Sequence, residues 1–359
     1  MTGRQFAAVA VGLGLVTLSA CGSSGPAGGS GGDPRTVTLV SHESWAASKS
    51  VIAAFEKESG YHVKVLTDGD AGQAVNKAIL TKDNPQGDVL FGVDNTLLSR
   101  ALDNGLFQPY AAKGLDRVGA QYQLDKDRHR VTPIDYGDIC VNYDKKYFAD
   151  HKLAPPASLD DLTKPAYKDL LVTENAATSS PGLGFLLGTA ARYGDNRWQD
   201  YWKRLKDNGV KVVDGWEQAY EQEFSGSAAG RKAGGDRPLV VSYASSPPAE
   251  VVYAKPRPTT APTGVTTGTC FRQIEFAGLL SNAHNPKGAK AFLDFLISRR
   301  FQEDMPLNMY VYPVVQGARV PAEFTAYGPA AKDPETMAPA KIAANRDQWV
   351  RSWTSLVLK

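Results

Sequence analysis

The chain of 359 residues is 42% hydrophobic and 22% charged, with a formal net charge of +2 at pH 7. Charges of both signs are interspersed, and no basic stripe is available to neutralise a run of phosphates, which excludes nucleic acid as the partner. The length exceeds what one compact core usually holds, so two lobes are expected, with ample apolar content to fill them.

At the N-terminus Arg4 precedes an apolar run from Phe6 to Ala20, and small residues then lead to Cys21. This is the layout of an export signal with its cleavage site. The run is shorter than the ~20 residues that span a bilayer, so residues 1–20 are expected to be removed, not to anchor the protein. Leu18-Ser19-Ala20-Cys21 resembles the lipobox of bacterial lipoproteins, which implies that Cys21 bears a lipid and that the protein is held outside the cytoplasmic membrane, on its periplasmic or cell-wall side. Residues 21–35, rich in Gly and Ser, read as a flexible tether.

Beyond the tether, strand and helix alternate. Thr36–Val40 has strand character, Trp45–Ser59 carries apolar residues at helical spacing and stops at Gly60, and His62–Leu66 alternates as a strand. Gly72–Leu80 reads as a helix, Asp88–Val93 as a short apolar strand, and Asn95–Leu102 as a helix ended by Asn104-Gly105. Such an order implies a parallel sheet whose ligands sit beyond the carboxyl ends of the strands. Two extended segments, Ile134–Tyr143 and Phe271–Leu280, bracket a second α/β region and are the hinge candidates. Inside the bracket the pattern predicts helices over Pro181–Tyr193, Trp198–Lys206 and Glu217–Phe224, and strands over Val210–Val213 and Leu239–Tyr243. Lys287–Ile297 and Ile342–Leu356 are expected helices, and Pro256–Pro262 a surface loop. The expected architecture is an α/β two-lobed clamp, residues 36–136 plus 274–308 forming one lobe and 137–273 plus 309–359 the other.

Of three cysteines, Cys140 and Cys270 remain once Cys21 is set aside. In an oxidising compartment an even pair predicts a disulfide, the alternative being two separate buried thiols.

Enzyme signatures are scarce. The five histidines are dispersed, without a pair at metal-ligand spacing on one helix, and neither a Gly-x-Ser-x-Gly elbow nor a phosphate loop is present. No cofactor or metal is expected. More telling are aromatics and acids at predicted strand ends and helix starts: Glu43 and Trp45, then Asp70, then Asp94-Asn95, Trp216 and Tyr220, Tyr243 before Ser245-Ser246-Pro247, and Tyr310 with Tyr312 in a loop after the Lys287 helix. Each alone is as readily a core residue or a cap, Asp94 being a candidate N-cap. Together they describe an aromatic slot with acidic company, which suits a flat organic cation. Ser179-Ser180-Pro181-Gly182 combines a capping serine with proline at the helix start, so its backbone N–H groups and hydroxyls could receive an anion or a hydroxyl group, or simply cap the helix.

Taken as a group, DVLFGVDNTLL (88–98), IDYGD (134–138), TSSPGLGFLL (178–187), DGWEQAY (214–220), VVSYASSP (240–247), YPV (312–314) and QWVRSW (348–353) resemble the thiamine-binding proteins of bacterial ABC importers, over nearly the whole mature chain. The resemblance implies a periplasmic-binding-protein-like (type II) fold with crossing hinge strands, a monomer that delivers thiamine, or its phosphate esters, to an ABC permease. It implies that Trp216 and Tyr243 stack on the ligand rings and that Asp70 and the backbone of Ala71 serve the aminopyrimidine or the thiazolium charge. Ser179 and Ser180 would bind the hydroxyethyl or phosphate end, the turn Tyr243, Ala244, Ser245, Ser246, Pro247 would line the pocket, and Glu43 and Tyr310 would complete it. Departures from the family pattern are His42 where tyrosine is common, Ala71 where glycine is common, Ala249 where a further tyrosine follows, and Tyr310 where tryptophan is common. They leave a pyrimidine precursor open as ligand. A polyamine or ferric-ion receptor of the same fold is the alternative within binding proteins, and a secreted thiamine-degrading enzyme with a cysteine nucleophile is the alternative outside them.

Overall fold

The computed structural model describes residues 33–329 and 331–359. The export signal, Cys21 and the tether up to residue 32 lie outside the described residues. Among the described residues nine strands form one mixed sheet: β1 Thr36–Ser41, β2 His62–Thr67, β3 Val89–Asp94, β4 Thr132–Asp144, β5 Leu171–Glu174, β6 Lys211–Val213, β7 Leu239–Tyr243, β8 Thr263–Leu279 and β9 Tyr312–Pro313. Their order is β2-β1-β3-β8-β4-β7-β5-β6, with β9 paired to β4. At one end β1 runs parallel to β2 and β3, and at the other β5 runs parallel to β6 and β7. Between these two parallel groups lie β8 and β4, the two longest strands and antiparallel to each other. β3 pairs with the C-terminal part of β8 and β7 with the C-terminal part of β4, so these two strands cross from one group to the other. The buried runs Val37–Leu39–Val40, Val89–Phe91 and Leu239–Val241 are apolar because helices cover both faces.

The β4–β8 ladder is irregular. Its register shifts between Ile139 and Val141, opposite the β8 residues that lie between Thr266 and Phe271. Thr269 Oγ1 accepts from the Val141 N–H at 2.8 Å and so replaces a lost ladder partner. Cys140 and Cys270 sit in this stretch and form a disulfide, with Cα atoms 4.2 Å apart. β8 begins at Thr263, eight residues before the expected Phe271, since the polar run Thr263–Thr269 shows no apolar alternation for sequence reasoning to find.

Other boundaries move for local reasons. The first helix spans Lys49–Ser59, not Trp45–Ser59, because residues 42–47 leave β1 as a loop. The third spans Leu98–Asp103, since Asp94 Oδ1 accepts from the Thr96 and Leu97 N–H groups and holds residues 95–97 in a turn. A helix over Arg299–Met309, interrupted in pattern by Pro306, separates Tyr310 from the helix Pro286–Leu296, so Tyr310 caps that second helix and does not lie in a loop after the first. The helix Pro339–Val357 closes the chain by packing Trp353 edge-on against Trp202, 5.4 Å between ring centres.

Candidate functional site

The loops at the carboxyl ends of β1 and β2 meet the helix starts at Ser180 and Trp216 around a cavity of about 250 Å³. Its lining includes His42, Glu43, Trp45, Asp70, Ala71, Ser180, Trp216, Glu217, Glu221, Tyr243, Glu275 and Tyr310. The volume suits a small organic molecule.

One wall is aromatic and local in origin. Gly215 and Trp216 open a helix that widens to i→i+5 hydrogen bonding over Ala219–Glu223, closed by the Phe224 N–H donating to Ala219 O at 3.0 Å. Four-residue spacing places Trp216 and Tyr220 in a stack, 5.0 Å between centres and 12° apart, with Phe224 behind at 5.5 Å from Tyr220. The Trp216 indole N–H donates to Ser242 Oγ at 2.9 Å, and the Tyr220 hydroxyl donates to Glu250 at 3.2 Å, so both rings are fixed by their polar ends. Tyr310 approaches Trp216 at 6.4 Å and adopts φ 58°, ψ 41°, a left-handed conformation uncommon for a residue with a side chain. The Ser245 hydroxyl donates to Tyr310 O and holds it there. Tyr243, at the end of β7, packs over Gly137, where a Cβ would come to 3.0 Å of its ring.

The floor is acidic and comes from strand register. Glu275 on β8 faces Asp94 on β3 to one side and Asp135 on β4 to the other. All three are buried. His42, at the end of β1, places Nε2 3.2 Å from Glu275 Oε1. Gly92 makes room for the imidazole, since a Cβ there would lie 2.5 Å from His42 Cδ2. Burial pushes the Glu275 carboxyl up to about 8, with Asp94 and Asp70 adding repulsion. Burial and the neighbouring Glu275 also push Asp135 well above the carboxylate range, so ionisation of this buried pair is disfavoured. Burial lowers the His42 imidazole, which favours its neutral form. At the mouth, Glu43, Glu217 and Glu221 are likewise raised, first by burial and then by one another and nearby acids.

Asp70 joins the elements. It caps the helix Ala71–Leu80, Oδ1 accepting from Ala71 N–H at 2.5 Å and from Ser180 N–H at 3.3 Å, while Oδ2 accepts from Trp216 N–H at 2.9 Å. Three helix starts therefore share one carboxylate.

Of the residues expected at the site, Glu43, Asp70, Ala71, Ser180, Trp216, Tyr243 and Tyr310 come together around the cavity. Ser179, Ala244, Ser245, Ser246 and Pro247 do not line it. Ser179 is the N-cap of the helix Ser180–Tyr193, but its buried hydroxyl makes no capping hydrogen bond. The Ser180 hydroxyl donates to Asp94 Oδ2, and Gln273 Nε2 donates to the same oxygen at 2.8 Å. The turn after β7 is buried behind the wall, with Ser246 Oγ 2.9 Å from Ser242 Oγ. Tyr312 stacks on Tyr136 instead, 5.5 Å away, and donates its hydroxyl to Gly328 O. Sequence reasoning missed Glu217, Glu221, Glu275, Asn308 and Met309. The one available signal was a lone acid, Glu275, within the apolar stretch Ile274–Leu280.

A mixed sheet of two parallel groups spanned by two crossing strands, with a small-molecule cavity at the strand ends, defines a solute receptor of the type II clamp class. Residues 84–331 match the family described as bacterial extracellular solute-binding protein, and the chain belongs to that family. It is 30% identical to the thiamine-binding periplasmic protein of Salmonella typhimurium over 313 residues, 87% of this chain and 89% of the relative, and 30% identical to that of Escherichia coli over the same shares. A solved periplasmic thiamin binding protein superposes with a TM-score of 0.78 at 27% identity, covering 90% of this chain and 96% of the other. The fold is also similar to the ferric binding protein from Campylobacter jejuni, with a TM-score of 0.70 at 18% identity and coverage of 89% and 99%.

Proposed function

We propose that the protein is a lipid-anchored receptor that captures thiamine outside the cytoplasmic membrane and delivers it to the permease of an ABC importer. One observation carries this reading: a single small cavity combines the ring faces of Trp216, Tyr243 and Tyr310 with the carboxyls of Glu43, Asp70, Glu217 and Glu275. A planar heterocycle that bears a fixed positive charge satisfies both, since ring faces and carboxylates each attract the cation. In this reading the aromatics hold the rings, the carboxyls meet the charge and the amino group, and Cys21 carries the lipid. Residues 36–136 plus 274–308 form one lobe and 137–273 plus 309–359 the other, β4 and β8 are the hinge, and the receptor works as a monomer.

A ferric receptor would use adjacent tyrosine oxygens, but Tyr310 and Tyr312 face different surroundings and the Tyr312 hydroxyl is already engaged. A degrading enzyme would need a cysteine nucleophile, and Cys140 and Cys270 are bonded to each other. Titration of the full chain in non-ionic detergent with thiamine is expected to give saturable heat and a change in tryptophan fluorescence. Absence of both at saturating vitamin, or a visible absorbance band on adding ferric ion, would overturn the assignment.

A further inference from the structure

We infer that Ser242 and Ser245, neither of which lines the cavity, are positioning residues that set the Trp216 and Tyr310 rings relative to each other for the ligand. The inference rests on the thiamine reading above and goes beyond it in naming what holds the aromatic wall.

The two rings come from separate elements. Trp216 opens the helix after β6, Tyr310 follows the last turn of the helix Arg299–Met309, and their centres lie 6.4 Å apart at 51°. Both are tied to the single turn that ends β7. The Trp216 indole N–H donates to Ser242 Oγ at 2.9 Å, and the Ser245 hydroxyl donates to Tyr310 O. The turn is in its own right fixed to β4, the Ala244 N–H donating to Asp138 O at 2.8 Å and the Asn142 carboxamide to Tyr243 O at 3.1 Å. Ala244 also clusters with the Cys140–Cys270 disulfide. Ser242, Ser245 and Ser246 are buried, so their hydroxyls serve the wall from behind and do not reach the ligand.

Tyr310 is where such support is most needed. Helices commonly end on a left-handed residue, but glycine usually takes that place because a Cβ disfavours the conformation. A tyrosine persists there only where its surroundings fix it, and residues held in this way gather at ligand clamps. Pro306 O receives the Tyr310 N–H at 3.1 Å and the Ser245 hydroxyl holds the Tyr310 carbonyl, so both sides of the residue are constrained and the direction of its ring follows. Trp216 is constrained differently. An indole turns about two torsions, and a hydrogen bond at its far edge selects one setting of both.

The test is calorimetric titration with thiamine, on the full chain in non-ionic detergent, of the unaltered protein, Ser245→Ala, Tyr310→Gly and the two changes combined. Ser245→Ala is expected to weaken thiamine binding by about threefold to tenfold. Tyr310→Gly removes the ring and places at 310 a residue that adopts the left-handed conformation unaided, so Ser245→Ala is expected to add nothing in that background. The other ring gives a parallel cycle. Ser242→Ala is expected to weaken binding by a similar factor in the unaltered protein but not in Trp216→Phe, whose ring has no N–H to place. A merely structural role would lower the melting temperature without this dependence on the ring. Affinity unchanged by both serine substitutions, or losses of equal size with and without the ring, would overturn the positioning role while leaving the thiamine reading intact. Should one serine variant fail to fold, the cycle at the other ring decides; should both fail, the turn is structural and the positioning role is overturned. If the unaltered protein gives no response to thiamine, the thiamine reading falls and the inference falls with it.

Discussion

The aromatic wall and the acidic floor of the cavity are built by opposite means. Trp216 and Tyr220 stack at a four-residue step along one short helix, with Phe224 tilted behind them at its cap, so this packing is a local consequence of chain periodicity. His42, Glu275, Asp135 and Asp94 come from four different strands or strand ends, and only the sheet register brings them together. The wall supplies surface that is indifferent to pH. The floor supplies charge whose amount depends on protons held in a crowded, desolvated place. Affinity for a cationic ring therefore has one component that sequence spacing sets and another that tertiary pairing sets.

The largest expected effect comes from breaking the wall. Trp216→Ala removes a buried ring and its hydrogen bond to Ser242, and is expected to lower stability by about 3–5 kcal/mol and thiamine binding by a further 1–3 kcal/mol. Urea unfolding and calorimetry separate the two losses, and Trp216→Phe should recover most of the stability and part of the affinity. Next is the staple across the irregular part of β4 and β8. Replacing both Cys140 and Cys270 by serine is expected to cost about 2–4 kcal/mol of stability, read from the urea midpoint. If the stability stays unchanged, the disulfide does not hold the crossing strands.

Asp70→Asn keeps the size of the side chain but removes the charge that receives N–H groups from Ala71, Ser180 and Trp216. It is expected to weaken thiamine binding by about 1–3 kcal/mol and to lower the melting temperature. Equal affinity in the variant would remove Asp70 from the site.

The smallest effect isolates the floor. Glu275 has a folded-state pKa of about 8 against an ordinary 4.5, so the folded state binds more protons than the unfolded chain between these values. Stability of the empty protein is therefore expected to fall as pH rises from about 4.5 through 8, and thermal melts across that range measure it. The bound cation favours the ionised carboxyl, so thiamine affinity is expected to rise over the same window. Glu275→Gln should reduce the slope of both profiles, leaving the part contributed by the other raised carboxyls. A melting profile that climbs with pH across this window would contradict the protonated floor.

The sequence revealed the wall and the clamp more fully than the floor. Strands β1, β3 and β7 announce themselves as apolar runs, and Trp216, Tyr243 and Asp70 stand at strand ends and helix starts that α/β lobes turn toward a cleft. β5 escaped because it is only four residues long and ends in a buried Glu174, and the first half of β8 escaped because it is polar. Without that half of β8 its pairing with β4 could not be read in full. Glu275 and Asp135 both lie in the expected crossing segments, but the register between strands so far apart in sequence is written in neither, so nothing paired them with each other or with His42. The hydroxyls of Ser179 and Ser180 carried the right chemistry for a ligand, but the Ser180 hydroxyl is taken by the buried Asp94 and the Ser179 hydroxyl is buried away from the cavity without a partner, a placement visible only in three dimensions.

Asp70 also bears on how fast the receptor can work. Its hydrogen bonds tie the segment around Ala71 to Ser180 and Trp216, so separating these segments strips a carboxylate of two of its three amide partners. In the clamp proposed above, opening carries that cost. Release of the vitamin should then quicken in Asp70→Asn, read by stopped-flow dissociation.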